Sequence, residues 1–346
     1  MRRHAALLAA LSLCLALTGC WQPVSLAERA VVKMICVSLH GEQYEVKLAA
    51  YVAADGDAES QGESKTVFAE GRGDAVRTAL LDAQEGIQQQ AFYAQNELLL
   101  VEEQAARSRL QEILTYFSEE RSSRPNMAVF AYRAEEEEQL LDKENIEKTV
   151  ENLEKMKNGD SVRGGLTQMI YRFDLKGERQ DFFLLPRLQA GEEGAVETDR
   201  LLFLRGGREV LSLKGEEKTL AELLLGGAES YQYQNGEDSC TVSDLRTAFS
   251  VSAQGTPQLS VRLSGEVRDA PAGCAPEALE SSVERRLEET FSSLYQKCYL
   301  EQELDPFQFG WWFETRDARR YGALLREKKL FGEDTLSFDA VITVDP

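Results

Sequence analysis

Residues 97–132, ELLLVEEQAARSRLQEILTYFSEERSSRPNMAVFAY, decide the fold class. Glu97–Glu102 is a short apolar run that reads as a strand. From Ala105 to Glu119, Leu110, Ile113, Leu114 and Phe117 recur at spacings of three and four, which places them on one face of a helix. Met127–Tyr132 is a second short strand. Upstream, Thr66–Ala69 reads as a strand and Asp74 to about Gln90 as a helix. The order strand, helix, strand, helix, strand predicts helices layered on a partly parallel sheet.

Working outward, Ala30 to Ala54 reads as two strands around the turn His40-Gly41-Glu42, because Tyr44, Val46, Leu48 and Ala50 alternate with Glu45 and Lys47. Asp55 to Lys65 is small and acidic, a loop. Arg133 to Asn158 is a charged helix or helix pair with Leu140, Leu141, Ile146, Val150 and Leu153 inward. Gly159 to Gly194 carries turns, a helix near Leu166–Tyr171 and an exit at Pro186. Beyond it, Arg200–Leu204 and Glu209–Leu213 bracket Gly206-Gly207 as a hairpin. Thr219–Leu225 is a short helix stopped by Gly226-Gly227. Strands follow at Cys240–Val242, Arg246–Ala253 and Pro257–Val267. Pro276 to about Glu303 is the longest helix, its stripe being Leu279, Val283, Leu287, Phe291, Leu294, Tyr295 and Cys298. A helix near Arg316–Glu327 and a strand at Thr335–Val344 complete the order.

The Gly- and Glu-rich stretch Gly191–Thr198 is the best interdomain boundary. The expected organisation is a lipoprotein signal peptide at 1–20, an N-terminal α/β domain at 21–135, a charged helical middle region at 136–195 and a C-terminal α+β domain at 196–346. The fold class is α+β and multi-domain, each domain a mixed β-sheet packed with α-helices.

With 346 residues, 43% hydrophobic and 28% charged, the composition is that of a folded globular protein. The formal net charge is −20. Arg2 and Arg3 carry all the charge of the first twenty residues, so the remainder is more acidic still. Neutralising phosphates takes a basic face, which argues against nucleic acid as a partner, and anionic headgroups repel such a body too. Membrane attachment must then be apolar. Arg2 and Arg3 precede an uncharged run, Ala5 to Leu17, that ends in Thr18 and Gly19 before Cys20, which is signal-peptide anatomy. That run falls short of the roughly 20 residues a spanning helix needs. Leu17-Thr18-Gly19-Cys20 resembles the lipobox of bacterial lipoproteins, in which the cysteine thiol receives diacylglycerol and becomes the new N-terminus. Cys20 is therefore the expected lipidation site. Two acyl chains at ~0.8 kcal/mol per buried CH₂ hold a protein durably where one holds it marginally. A plain secretory signal with an incidental Cys20 is the competing reading.

Past Cys20 remain Cys36, Cys240, Cys274 and Cys298, which allow three pairings. Cys36 and Cys298 lie in apolar patterns and read as core residues. A Cys240–Cys274 bridge is compatible with an oxidising compartment, Cys274 lying in the loop Ala270-Pro271-Ala272-Gly273-Cys274. No catalytic constellation emerges. Past the signal segment His40 is the sole histidine, and it sits in the hairpin turn, a surface position. No Gly-x-Ser-x-Gly, His-Glu-x-x-His or Cys-x-x-Cys occurs. Asp55-Gly56-Asp57-Ala58-Glu59 starts like a calcium loop but has Ser60 and Thr66 where glycine and an acid belong. Gly71-Arg72-Gly73 reads as a tight turn rather than a phosphate loop, since Val76 holds the third glycine position. The run Glu135–Glu138 and the pairs Glu192-Glu193 and Glu216-Glu217 read as solvated faces. The chain is thus expected to be no enzyme, with no cofactor and no metal. Phe307, Phe309, Trp311, Trp312 and Phe313 form the most unusual local composition. Packing of the C-terminal helix is its first reading, and contact with a partner or the lipid interface, through Phe307, Phe309, Trp311 and Trp312, its second.

Four stretches together resemble a known family. They are Gly19-Cys20-Trp21 with Leu26-Ala27-Glu28-Arg29-Ala30-Val31-Val32; Glu70-Gly71-Arg72-Gly73-Asp74-Ala75-Val76; Ala91 to Val101 with Ile113-Leu114-Thr115-Tyr116-Phe117 and Ser123-Arg124-Pro125-Asn126; and Phe307–Phe313 through Tyr321 to Asp339–Val344. In order and spacing they are similar to the Ger(x)C spore germination lipoproteins, the C subunits of nutrient germinant receptors. Gln95 and Tyr321 depart from the histidine and tryptophan common there. The resemblance implies three small domains, each a sheet packed with helices, held on the outer face of the cytoplasmic (spore inner) membrane by the Cys20 lipid. It also implies polytopic receptor partners of the A and B type and no enzymatic activity. The alternative from another class is a solute-binding lipoprotein that delivers a small ligand to a transporter.

Overall fold

The computed structural model describes residues 28–53, 64–120, 127–142, 144–158, 182–226, 230–235, 238–252, 259–270, 275–327, 330–332 and 335–344. Cys20, Cys274, the calcium-like run at 55–59 and the helix expected near 166–171 lie outside the described residues.

β1 (Arg29–His40) and β2 (Gln43–Ala53) form the expected hairpin, and Gly41 supplies its left-handed turn residue at φ +65°. β3 (Ser64–Gly73) pairs with β2. α1 (Val76–Glu85) and a short β4 (Gln90–Phe92) follow, β4 lying parallel beside the start of β1. Then comes the unit that opened the reading: β5 (Leu98–Glu102), α2 (Glu103–Glu119) and β6 (Ala128–Tyr132), with β1, β5 and β6 parallel. Every residue of β5 and β6 is buried, as parallel strands covered on both faces should be. The Glu102 carboxylate accepts from the N–H groups of Gln104 and Ala105 and caps α2.

The same sheet continues through β7 (Phe182–Ala190), β8 (Val196–Arg205) and β9 (Arg208–Lys214), in the order β3-β2-β1-β5-β6-β7-β8-β9. β7 is an addition to the sequence reading. Pro186, expected to mark an exit, lies inside it opposite Leu201. β6 pairs with β7 through Ala131 and Arg187 alone, so a residue without an N–H disturbs little of that ladder. Gly191–Ala195, within the proposed boundary, is the β7–β8 turn, closed by a 2.7 Å bond from the Gly191 N–H to the Ala195 carbonyl. Arg187 is 7% exposed and ties this half to α2. Its Nε donates to Asp199 Oδ1 at 2.9 Å, Nη2 to Asp199 Oδ2, and Nη1 to Glu103 Oε1 at 2.8 Å. Arg107 bridges Glu103 to Glu209 on β9, both at 2.8 Å.

α1 and α2 cover one face of this sheet, with Ala79, Ala83, Leu110, Ile113 and Phe117 buried against it. The stretch Gly71-Arg72-Gly73 is the end of β3 and not a turn. A Cβ on Gly71 would sit 2.1 Å from the Ala83 nitrogen, so the glycine lets α1 lie on the strand. α3 (Glu137–Leu140) and α4 (Ile146–Asn158) cover the other face through Leu140, Ile146, Val150 and Leu153, the stripe expected of that charged segment.

α5 (Gly215–Leu224) and α6 (Pro276–Tyr295) join the far end of the first sheet to a second: β10 (Tyr231–Asn235), β11 (Asp238–Val251), β12 (Leu259–Val267) and β13 (Leu336–Val344), in that spatial order. One core spans both, with Phe203, Leu220, Val261, Leu263, Leu287 and Phe291 buried in it. Each such side chain contributes about 1.5–3 kcal/mol of burial. β11 merges two expected strands across a bulge between Ser243 and Arg246, where Asp244 takes φ +51°. At the open edge of β13, the N–H groups of Ile342 and Val344 donate to Glu284 and Glu280 of α6 at 3.0 and 2.9 Å.

Candidate contact surface

His40 is exposed at the end of β1. No cluster of His, Cys, Asp or Glu that could hold a metal ion occurs among the described residues. Burial pushes the Cys298 thiol up to about 12, with the Glu217 carboxylate adding to the effect. The Cys36 thiol is raised further by the same cause, with Glu137 contributing. Both are core residues, as the sequence suggested, and Cys240 is buried on β11. No helix among the described residues is long and apolar enough to cross a membrane.

The aromatic cluster is built from Asp305 upward. α6 runs into a π-helical turn, Gln296–Glu301, and the chain then reverses through Glu303 and Gln308, both left-handed at φ +53° and +58°. Asp305 holds this reversal: Oδ1 accepts from the Tyr299 hydroxyl at 2.6 Å and the Phe309 N–H at 2.8 Å, and Oδ2 from the Gly310 N–H at 2.8 Å. These bonds satisfy the first donors of α7 (Phe309–Arg316). Burial raises the Tyr299 hydroxyl well above its ordinary range, so it stays a neutral donor to that carboxylate.

From that start the side chains divide. Phe307 (5% exposed) and Phe309 (0%) are core residues, with ring centroids 5.5 Å apart and Phe309 5.4 Å from Tyr299. Their burial removes them from any outside contact, which leaves Trp311 and Trp312. Trp312 is half-buried and stacks on Phe249 at 5.2 Å. Trp311 is 42% exposed and meets Trp312 edge-on at 5.6 Å. α8 (Ala318–Arg326) folds back on α7 through Phe313 and Tyr321, at 6.2 Å, over a small core completed by Leu330. The Arg316 guanidinium lies 5.8 Å from the Trp312 ring. The sequence reading missed Asp305 and the arginines of this hairpin. An acid four residues ahead of a helix, and a local excess of arginine in an acidic chain, are the signals that could have found them.

Elsewhere, a groove of about 800 Å³ lies between α2 and the β8–β9 turn, lined by Arg107, Arg109, Glu112, Phe183, Arg205 and Gly207.

Comparison with known proteins adds a domain match and a fold match. Residues 23–182 match the Spore germination protein N-terminal domain. No curated protein matches the sequence. The fold is similar to the crystal structure of the GerBC protein, with a TM-score of 0.55 at 13% identity over 90% of this chain and 97% of that one. At that identity the likeness concerns the fold, which extends it beyond the matched domain to both sheets. Residues 23–182 are thus similar to the spore germination protein N-terminal domain, and the chain carries that stretch on a fold similar to that of the GerBC protein.

Proposed function

We propose that the chain is a non-catalytic C subunit of a nutrient germinant receptor, lipid-anchored through Cys20 to the outer face of the cytoplasmic (spore inner) membrane, and that it acts in germination by contact with polytopic A- and B-type subunits. The match of residues 23–182 to the spore germination domain carries this reading. The signal-peptide pattern at 1–20 supports the anchor, and the burial of Cys36 and Cys298 supports a body without thiol chemistry. Deleting the gene in a strain without a paralogue should abolish the response to at least one nutrient germinant; an unimpaired strain refutes the reading. Cys20→Ala should shift the protein from the membrane to the soluble fraction. If instead a single metabolite raises the melting temperature of the purified chain, and substitutions in the α2 groove remove that effect, the solute-binding alternative is correct.

A further inference from the structure

The hairpin of α7 and α8 carries a charge opposite to that of the chain. Arg316, Arg319 and Arg326 are exposed, and none forms an ion pair with another described residue. Elsewhere, Arg72, Arg107, Arg133, Arg187, Arg262, Arg268 and Arg286 pair with carboxylates, and the other exposed arginines without an ion pair to a described residue, Arg77, Arg208, Arg246 and Arg285, are spread singly over separate elements, so the hairpin is where three of them come together. On α8, Arg319 and Arg326 are seven residues apart, and so are the exposed Ala318 and Leu325, so two adjacent rows run along one side of the helix. Leu325 is 48% exposed and Trp311 42%, two of the four large apolar side chains open to solvent among the described residues. The hairpin also holds Glu314, Asp317 and Glu327. Asp317 is turned to the start of α8, where it accepts the Arg320 N–H at 3.0 Å, and Glu314 is half-buried.

We propose that this hairpin is the face that the tethered body lays on an anionic phospholipid surface, with Trp311 and Leu325 at the headgroup boundary and Arg316, Arg319 and Arg326 on lipid phosphates. The inference rests on the membrane-tethered reading above. The pairing of unneutralised arginines with an open indole and an open leucine is what a bilayer surface accepts: indoles favour the headgroup level, and arginine is drawn to the negative leaflet. An acidic protein surface would satisfy the arginines and leave the two apolar side chains without a matching partner. The rest of the body, at a net charge near that of the whole chain, −20, is repelled by the same surface. The hairpin therefore fixes orientation, while the lipid holds the protein near.

Tryptophan emission reads this directly, because the chain has three tryptophans and two of them are Trp311 and Trp312. The chain from Trp21 onward, with Trp21→Phe and an N-terminal hexahistidine in place of residues 1–20, would be tethered to vesicles bearing a nickel-chelating lipid. The tether is artificial, so failure of Cys20 lipidation, seen by mass spectrometry of the native protein, is a separate result. On vesicles with about one-third phosphatidylglycerol, emission should shift to the blue and be quenched by acyl-brominated lipid. On phosphatidylcholine vesicles, or in high salt, it should not. Untethered, the same chain should bind phosphatidylglycerol vesicles about fivefold more weakly per arginine removed. R316E/R319E/R326E should lose the shift and keep its melting temperature, since all three side chains are exposed. Unchanged emission on tethered phosphatidylglycerol vesicles, an equal shift on phosphatidylcholine, or a shift that appears only with purified polytopic subunits would overturn the proposal.

Discussion

Replacing Arg187 by methionine should destabilise the fold by about 3 kcal/mol, the lower end of the ~3–5 kcal/mol range for breaking a buried pair from one side. The side chain is 9% exposed and its two partners are Asp199, at 20%, and Glu103, at 12%. Methionine fills much of the volume, so the loss comes from the charges left behind. These are not fully stranded, because Arg107 remains 2.8 Å from Glu103 and Arg200 remains 3.6 Å from Asp199. That retained pairing is why the lower end applies. At about 2 °C per kcal/mol for a chain of this size, the midpoint should fall by about 6 °C in a calorimetric scan. Urea unfolding followed by far-ultraviolet circular dichroism gives the free energy. The double variant R187M/D199N should lose about 1–2 kcal/mol less than the sum of the two single losses, because the second change removes a charge that no longer has its partner. A loss below about 1 kcal/mol, or strict additivity in the cycle, would show that the bridge between α2 and the β7–β8 hairpin is a surface decoration, and the reasoning would fail.

Two further outcomes follow from the N-terminal half. Gly71→Ala would place a methyl 2.1 Å from the Ala83 nitrogen and 2.5 Å from the Ala79 carbonyl oxygen, backbone atoms that cannot step aside. It should cost about 3 kcal/mol in urea, whereas Gly86→Ala, whose nearest neighbour is the Ala83 oxygen at 3.3 Å, should cost far less; equal effects would contradict the close-packing argument. Glu45 is pushed up by burial, but the Arg72 hydrogen bond and the Lys47 and Arg72 charges prevail and hold its carboxyl below the ordinary range. Its stabilising contribution is therefore present above the unfolded-state value and is lost as pH falls through the folded one, so Glu45→Gln should flatten the acid limb of stability below about pH 5 and leave the neutral region nearly parallel to wild type.

What the sequence made legible is what periodicity controls. The alternation of β2 and β13 and the helical stripes of α2 and α6 mark a buried face, while β5 and β6, buried on both faces, show as unbroken apolar runs. The parts it hid depend on partners elsewhere in the chain. β7 contains a proline, a residue that argues against a strand, and gains its ladder from β8 across the Gly191–Ala195 turn. β10 is five residues long at an edge, and its Tyr231-Gln232-Tyr233-Gln234 alternation is too brief to register. The bulge in β11 switches which residues face inward, which splits one strand into two apparent ones. At Gly71 the reading credited glycine with backbone freedom, whereas the fold uses its missing Cβ. In the aromatic cluster, composition singled out the right segment. Which rings point inward depends on the left-handed Gln308 that starts α7, and no pattern of residue types announces that angle. The arginines of the α7–α8 hairpin were masked by averaging charge over the whole chain.

A sheet that ends in an open strand invites the same strand of a neighbour, and β13 is such an end. Glu280 and Glu284 occupy the donors at Ile342 and Val344, so the far part of that rim is already hydrogen-bonded by the protein's own helix. An incoming strand would find those two donors already taken, which works against growth of the sheet into a ribbon at this edge.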